Sequence, residues 1–243
     1  MQPRSIQIPK HSKIHIWRVE LSQQEGSIRR FERLLSCDER SRSGQFHFDH
    51  LRQRYIITHG ALRTILADYL DQPPATLRFG RGRFGKPFLA DPPGSLEFNL
   101  SHSEDLSLIA VTANRSVGID VEKVRQIPPL DHILSRYFSV EERKYIRSKP
   151  ELEQIQAFYM LWTRREAVAK ALSLNLAAAL MKISVPLYPS GGEIVASHFG
   201  GIEGINGKIG HSLYVRDLNV GDDHRGAVCV EGKKCDLSIR EFN

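Results

Sequence analysis

Two acidic residues in the segment VGIDVE are spaced for metal chemistry. Asp120 and Glu122 lie two positions apart in a stretch that reads as a strand. Residues i and i+2 of a strand point to the same face, so both carboxylates are brought together. They repel each other unless a cation neutralises them, and Mg²⁺ prefers such oxygen ligands. A solvated edge strand would explain the same pattern without a metal.

A further carboxylate and a lysine occur on a predicted helix. In MLWTRREAVAKAL, Trp162, Glu166 and Lys170 recur every four residues, so they share one stripe of that helix. A Glu–Lys pair at this spacing also stabilises a helix by itself, by about 0.2–0.5 kcal/mol. If Glu166 faces Asp120 and Glu122, the carboxylates form a metal pocket beside Lys170, which can then meet a phosphate. Trp162 would anchor the helix against the core.

Polar and basic residues suited to phosphate binding lie elsewhere in the chain. The segment FNLSHSED presents Ser101 and His102 at a corner between two predicted strands. Neutral donors and a histidine suit phosphate oxygens, although a turn that bonds its own backbone has the same composition. Lys86 in FGKPFL adds positive charge, as do Arg42 and Arg54 near the long N-terminal helix. Considered singly, each of these basic residues is an ordinary surface residue.

Hydrophobic periodicity predicts the elements that must position these groups. Helices are predicted in SIRRFERLLS, over roughly residues 48–70, in FSVEERKYIRS and in QIQAFYMLWTRREAVAKAL. Ser139 and Glu142 match a capping box at the start of the third helix. Strands are predicted at residues 13–21, on both sides of the corner at 101–105, and in VGIDVEKV, LMKISVPL, GKIGHSLYVRDLNV and HRGAVCVEG.

The order of these elements indicates an α+β fold of two related lobes. Strand, helices and strands follow one another in each half of the 243 residues, and the boundary falls near residues 112–118. We therefore expect an N-terminal lobe over residues 1–115. The C-terminal lobe, over residues 116–243, would carry the metal and catalytic residues.

Composition excludes several classes of protein. With 41% hydrophobic and 26% charged residues, the chain has an ordinary soluble composition. Its three cysteines form no CxxC motif, and no apolar run reaches the ~20 residues of a spanning helix. We expect a cytoplasmic protein without a membrane partner. The net charge of +6 favours an anionic partner, but no basic stripe interleaved with aromatic residues points to nucleic acid.

Five motifs together are far more specific than any one of them. FGKP, FNLSHS, VGIDVE, FSVEE and FYMLWTRREAVAK follow in this order over residues 84–170. In this combination the chain resembles the Sfp-type 4′-phosphopantetheinyl transferases. Weaker similarity extends to the helix around Arg54 and to the final strands, so the resemblance covers most of the chain.

The resemblance implies a pseudo-twofold pair of lobes with coenzyme A as co-substrate in the cleft between them. The reaction it implies is Mg²⁺-dependent transfer of the phosphopantetheine arm to a serine of an acyl or peptidyl carrier protein, with release of 3′,5′-adenosine bisphosphate. Mn²⁺ could replace Mg²⁺ because oxygen ligands accept both. A monomer is expected, since both lobes lie in one chain. Carriers of fatty acid, polyketide and nonribosomal peptide synthases all present such a serine.

The resemblance also assigns residues to roles. The chemistry of the reaction adds that one of the carboxylates, with Glu166 as the first choice, is expected to act as general base, directly or through water. Lys170 is expected to stabilise charge on the transferred phosphate or the leaving group. Arg54 and His102 are expected at the 3′-phosphate end of coenzyme A. The metal ligands are expected to be Asp120, Glu122 and Glu166, the catalytic residues Glu166, Lys170 and Asp120, and the coenzyme A contacts Arg42, Arg54, Lys86, Ser101 and His102.

Four positions depart from the family's usual pattern. Arg165 stands where a lysine is usual, and Glu104 stands where a glycine often follows SHS. Ser173 and Asn175 replace two glycines after Lys170. Glu104 adds negative charge near a proposed phosphate site, so a catalytically weak or inactive coenzyme A-binding or carrier-binding homologue is the alternative. The intact set of carboxylates and lysine argues against that alternative.

Overall fold

The computed structural model describes residues 6–10, 12–22, 25–92, 96–127, 130–188, 191–194 and 212–242. These residues form seven helices, ten strands and a short 3-10 turn. The helices are α1 (Glu25–Leu34), α2 (Cys37–Ser43), α3 (Asp49–Leu70), α4 (Leu130–Tyr137), α5 (Val140–Arg147), α6 (Glu151–Ala171) and α7 (Leu176–Lys182). The strands are β1 (Lys13–Glu20), β2 (Arg78–Arg81), β3 (Pro87–Asp91), β4 (Leu96–Ser103), β5 (Leu106–Ala113), β6 (Val117–Lys123), β7 (Gly192–Ile194), β8 (Leu213–Leu218), β9 (His224–Glu231) and β10 (Asp236–Phe242).

Two four-stranded sheets form the framework and confirm the predicted α+β class. Their strand orders are β10-β1-β5-β4 and β6-β9-β8-β7, and β2 and β3 form a separate hairpin. In the first sheet β1 pairs antiparallel with β5, which pairs with β4; in the second, β6 pairs in the same way with β9, which pairs with β8. The matching order agrees with two related lobes, while an overall pseudo-twofold axis stays a prediction.

The last strand of the chain returns to the first sheet. β10 pairs in parallel with β1, and Ile239 lies opposite Ile16. The sequence pattern did not predict this strand. Residues 236–242 therefore complete the sheet of the first half, so the sheets do not divide the chain at a single residue. The proposed division at residues 115 and 116 stays a prediction.

Three clusters of buried apolar side chains hold these elements together. One lies between α3 and the first sheet, and another surrounds α6 on the second sheet. The third joins β1 and β5 to β6 and β9, and its members include Ile16, Leu108, Ile119 and Val228. The sheets thus bury one face against each other, which fixes the position of β6 relative to the first sheet.

Helix α6 lies directly on β6. A Cβ atom at Gly118 would lie 2.0 Å from the carbonyl oxygen of Ala167 and 2.3 Å from the amide nitrogen of Ala171. Only glycine leaves room for so close an approach of helix and strand backbones. This contact sets the distance between the carboxylates of β6 and the polar stripe of α6.

The structure also tests the predicted elements. The predicted capping box is confirmed, with the Ser139 hydroxyl accepting from the amide of Glu142. The strand predicted in LMKISVPL is wrong, because α7 extends through Lys182. After the helix, Ile183 forms only an isolated β-bridge, and the amide of Val185 donates to the side chain of Glu142. In GKIGHSLYVRDLNV, residues 207–211 lie outside the described residues, and β8 forms within the remainder. No helix in the described ranges combines the length and hydrophobicity needed to cross a membrane.

Candidate active site

The edge strands β4 and β6 belong to different sheets and are joined through the side chains of β4. Asn99 accepts a hydrogen bond from the amide of Ile119 at 2.8 Å, and the Ser103 hydroxyl accepts one from the amide of Lys123 at 3.1 Å. Ser101 lies between these two on the same face of β4. The alternating Asn and Ser residues therefore pair backbone groups of β6 and place its carboxylates at the junction of the sheets.

Three carboxylates meet at this junction. Asp120, Glu122 and Glu166 each offer one oxygen, and these oxygens all lie within 4.8 Å of one another. Asp120 is 1% exposed and Glu166 8% exposed. The Oδ2 atom of Asp120 is buried without a hydrogen-bond partner among the described residues. A buried, unpaired carboxylate oxygen is costly, so the donor set fits a hard divalent cation such as Mg²⁺ or Mn²⁺.

Lys170 extends from α6 to the same cluster. Its Nζ donates to Oδ1 of Asp120 at 2.6 Å and to the Ser101 hydroxyl at 3.0 Å, and lies 3.6 Å from Oε2 of Glu166. The Ser101 hydroxyl donates to the same Asp120 oxygen at 2.7 Å. Lys170 and Ser101 thus cover one oxygen of Asp120 and leave the other for a different partner.

The carboxylates outnumber the cations at this cluster. Burial and the neighbouring Asp120 raise the pKa of Glu166 to about 8. The same two causes raise the pKa of Glu122, whose carboxylate accepts from the Ser103 hydroxyl at 2.8 Å. Burial alone would lower the pKa of Lys170, but Asp120 and Glu166 outweigh it and the pKa is raised. One ammonium does not balance this negative charge, so a bound cation would be favoured.

His102 lies on the other face of β4 from Ser101 and is exposed. Partial desolvation lowers the pKa of its ring, and Lys170, His59 and Arg54 lower it further. The ring therefore lies in a net positive electrostatic environment, although Asp120 acts in the opposite direction, and such a setting favours an anionic ligand. His59 was not identified from the sequence, because only the folding of α3 beside β4 brings it near.

Arg54 is already paired. Its guanidinium donates to Oε2 of Glu104 at 2.9 Å, and Arg125 pairs with the other oxygen of the same carboxylate. Glu104 lies at the corner between β4 and β5 with φ of 53°, a conformation that favours glycine. No local sequence pattern indicated Arg125, which reaches this corner from the segment after β6.

The other two expected coenzyme A contacts, Lys86 and Arg42, have hydrogen-bond partners outside the carboxylate cluster. Lys86 donates to the carbonyl oxygen of Val117 at 2.8 Å and lines a cavity of about 420 Å³ together with Glu97 and Ser173. Burial lowers the pKa of Lys86. Arg42, on α2, donates to Gln45 at 2.9 Å. The structure thus brings Ser101 into contact with the acidic cluster, whereas Lys86 and Arg42 have other partners.

Comparison with known proteins identifies the family. A model described as "4′-phosphopantetheinyl transferase superfamily" matches residues 116–229, and one described as "4′-phosphopantetheinyl transferase, N-terminal" matches residues 21–114. The 4′-phosphopantetheinyl transferase HetI of Nostoc sp. (strain PCC 7120) is 36% identical over 180 residues, which cover 73% of this chain and 76% of HetI. The chain belongs to the 4′-phosphopantetheinyl transferase family.

Two further relatives in the family are more distant or only partly covered. The 4′-phosphopantetheinyl transferase Sfp of Bacillus subtilis (strain 168) is 27% identical over 213 residues, which cover 86% of this chain and 87% of Sfp. The human L-aminoadipate-semialdehyde dehydrogenase-phosphopantetheinyl transferase is 32% identical over 167 residues. That match covers 65% of this chain and 54% of the human protein.

The family's usual lysine before the helix glutamate is replaced by a buried arginine with structural partners. Arg165 is 2% exposed and donates to the carboxylate of Glu142 and to the carbonyl oxygens of Tyr137 and Leu180. Its guanidinium also lies 4.6 Å from the centre of the Phe138 ring. The planar fork of arginine serves several acceptors that a lysine could not reach at once.

The two replaced glycines of the family pattern differ in their backbone. Ser173 has φ of 50°, in the left-handed region that favours glycine, whereas Asn175 is not among the described residues with positive φ. Ser173 lies two residues after the end of α6 and lines the cavity that contains Lys86. The substitution at residue 173 is therefore the one that changes backbone preference.

Proposed function

We propose that this member of the family transfers the 4′-phosphopantetheine arm of coenzyme A to a serine hydroxyl of an apo acyl or peptidyl carrier protein. The observation that carries the proposal is the largely buried cluster of Asp120, Glu122 and Glu166. One oxygen of Asp120 has no hydrogen-bond partner among the described residues, and Lys170 lies beside the cluster. This arrangement suits a divalent cation together with a phosphate-containing substrate.

Asp120, Glu122 and Glu166 would hold Mg²⁺, or Mn²⁺ in its place. When bound, the ion supplies charge neutralisation and orientation of the pyrophosphate. Lys170 would stabilise negative charge on the transferred phosphate or on the leaving group. Support for this role is its ammonium group, which lies 2.6 Å from Asp120 on a side chain that is 24% exposed. The Ser101 hydroxyl would donate a hydrogen bond to a phosphate oxygen by exchanging its present acceptor, Oδ1 of Asp120.

Glu166 is the proposed general base. It would take the proton of the carrier serine, directly or through water, while the serine oxygen forms a bond to the β-phosphorus of coenzyme A. The bond from that phosphorus to the bridging oxygen breaks, and 3′,5′-adenosine bisphosphate leaves with the electron pair. Only the ionised carboxylate can accept this proton; burial and Asp120 raise the pKa of Glu166 to about 8 in the metal-free protein, and a cation bound to the cluster would favour the ionised form near neutral pH.

The remaining contacts to coenzyme A are proposed from the family resemblance. Arg54 and His102 would bind the 3′-phosphate end, and the positive electrostatic influence of Lys170 and Arg54 on the His102 ring supports that position. Arg42 and Lys86 would complete the site. Both lie on elements of the first half of the chain, on α2 and beside β3 respectively.

The carrier protein is proposed to dock near helices α4 and α5. The segment RYFSVEERKYIRSKP exposes basic side chains that include Arg136 and Lys144, and Val140 is 49% exposed beside them. Carrier proteins are typically acidic, so the net charge of +6 would speed encounter and make it salt-sensitive. A cytoplasmic monomer is proposed, because one chain supplies the carboxylates, Lys170 and the strand corner.

Mass spectrometry of apo carrier proteins tests the function. The full chain would be incubated with coenzyme A, Mg²⁺ and carriers of the acyl and peptidyl types. A mass gain of one phosphopantetheine arm is expected, with loss of the gain in EDTA and in Glu166→Ala. Its recovery on adding Mg²⁺ or Mn²⁺ to the EDTA-treated protein would identify the metal requirement.

A catalytically weak coenzyme A-binding homologue is the second candidate. It is favoured by one observation, the occupation of Arg54 by Glu104 at 2.9 Å. Measurable coenzyme A binding without a mass gain on any carrier would favour this second candidate. A Glu166→Gln variant that keeps most of its kcat would instead refute only the assignment of the base.

A further inference from the structure

The corner between β4 and β5 places a carboxylate where the proposed function needs a phosphate. Glu104 bridges Arg54 on α3 and Arg125 after β6, one arginine on each of its oxygens. The side chain of Arg54 is 24% exposed and that of Glu104 is 34% exposed. The pair is therefore partly withdrawn from water, where an ion pair is screened less than at the open surface.

Arg54 cannot bind a phosphate and Glu104 with the same donor. In the free protein its Nη2 atom already donates to Oε2 of Glu104. An incoming phosphate would have to displace this carboxylate from Nη2 or bind the remaining N–H groups of a guanidinium whose charge Glu104 already neutralises. Arg125 would keep the displaced carboxylate paired, since it holds the other oxygen. The exchange is thus possible without leaving a buried charge alone, but its net gain is small.

We propose that Glu104 determines how strongly this enzyme selects coenzyme A for its 3′-phosphate. The inference rests on the proposed function, in which Arg54 contacts that phosphate. Because selectivity is a difference of affinities, an internal competitor at Arg54 weakens binding of coenzyme A and leaves 3′-dephospho-coenzyme A unaffected. The wild-type chain therefore discriminates less between coenzyme A and 3′-dephospho-coenzyme A than a variant without the competitor does.

The backbone supports a role for the carboxylate itself. Glu104 keeps a positive φ of 53°, where glycine would be easier to accommodate. The backbone conformation at residue 104 therefore does not favour glutamate, and the ion pairs with Arg54 and Arg125 hold its side chain in place. Replacement by glutamine preserves shape and backbone preference while removing the charge, so it isolates the competition.

Titration calorimetry and transfer kinetics of the full chain test the inference. Coenzyme A and 3′-dephospho-coenzyme A would be compared in wild type and in Glu104→Gln. The matched control is Asp105→Asn, which removes one charge from the same corner; Asp105 lies 3.8 Å from Lys123 and 3.6 Å from His224. Glu104→Gln should tighten coenzyme A binding about three- to tenfold, and tenfold equals about 1.4 kcal/mol. In Glu104→Gln, binding of 3′-dephospho-coenzyme A should change less than about twofold. In the control Asp105→Asn, binding of both substrates should also change less than about twofold.

Arg54→Gln separates the inference from the proposed function. If Arg54 contacts the 3′-phosphate, the Arg54→Gln variant should bind coenzyme A and 3′-dephospho-coenzyme A with similar affinities. If it does so but Glu104→Gln shifts both substrates equally, or neither, the inference on Glu104 is overturned and the proposed contact remains. If Arg54→Gln leaves the ratio of affinities unchanged, or if wild type binds neither substrate, the proposed contact fails and the inference fails with it.

Discussion

Glu166 must remain ionisable inside a buried acidic cluster. It is 8% exposed and shares the site with Asp120 and Glu122. The cost of ionising it there is reflected in a pKa raised from 4.5 to about 8, through burial first and Asp120 second. A cation bound to the cluster would remove that cost. Metal binding and the charge of Glu166 are therefore coupled at the level of a single residue.

The pH dependence of stability should reveal this coupling. A group whose pKa is raised on folding binds more protons in the folded state, so its contribution favours folding at low pH and declines as pH rises. For Glu166 the decline falls between pH 4.5 and about 8. In EDTA, the unfolding free energy of wild type relative to Glu166→Gln should fall across that window by at least about 1.4 kcal/mol, the equivalent of one pKa unit. Urea unfolding at several pH values measures it.

Added Mg²⁺ and a second variant control this measurement. Mg²⁺ should reduce the decline in wild type and have little effect in Glu166→Gln. Glu153 is exposed on the same helix. The unfolding free energy of the Glu153→Gln variant should therefore depend on pH as that of wild type does. Parallel profiles for wild type and Glu166→Gln in EDTA would contradict the raised pKa.

Local spacing predicted the acidic cluster but not the pairing around it. The two-residue period of β6 and the four-residue period of α6 aligned Asp120 with Glu122 and Glu166 with Lys170, and the structure brings both pairs together. The bridge from Arg54 through Glu104 to Arg125 joins residues separated by 50 and 21 positions. No local period encodes such a contact, because it exists only after α3 and the segment beyond β6 have folded against the corner.

At the scale of elements, the site depends on how closely α6 approaches β6. Gly118 permits that approach, and a methyl group there would lie 2.0 Å from the carbonyl oxygen of Ala167. Since the clash is with helix backbone, neither side can give way by changing a rotamer. Gly118→Ala should lower the unfolding free energy by about 3 kcal/mol or more, the upper range for overpacking, and should reduce phosphopantetheine transfer. Urea unfolding and the carrier assay would measure the two effects.

Gly26→Ala is the matched control for this prediction. Gly26 lies on α1, and a Cβ atom there would meet nothing within 4 Å. Its unfolding free energy should stay within about 0.5 kcal/mol of wild type. A Gly118→Ala protein as stable as that control would show that α6 can move away from β6, contrary to the close packing described above.

The elements that were not predicted from the sequence depend on capping residues at their ends or on strand partners far away in the chain. Helix α2 has a capping box of Ser36 and Glu39, the same signal that identified Ser139 and Glu142, but it is short and lacks a clear apolar period. The end of α7 was mistaken for a strand because the apolar run of LMKISVPL fits either structure. β10 needs β1 as a partner, more than 200 residues earlier in the chain. Helix-length periods therefore predicted structure better than short apolar runs did.

At the scale of the whole molecule, two features join the sheets into one unit. The third apolar cluster lies between them, and β10 crosses from the second half of the chain to pair with β1. The acidic cluster lies along the same junction, between β4 of one sheet and β6 of the other. Loss of one sheet would remove partners from both, so the site should exist only while both sheets are folded.

The two tryptophans of the chain can test whether the sheets unfold together. Trp17 on β1 donates to the Tyr69 hydroxyl at 3.0 Å, and Trp162 on α6 stacks on Phe158, so each reports on a different half. We expect Trp17→Phe and Trp162→Phe proteins, each followed by the fluorescence of its remaining tryptophan in urea, to unfold in a single transition that coincides with loss of far-ultraviolet circular dichroism. Each midpoint is compared with the dichroism of the same variant, which controls for destabilisation by the substitution itself. Fluorescence that changes before or after the dichroism in either protein would mean that the halves are separately stable, and that the shared cluster and β10 do not couple them.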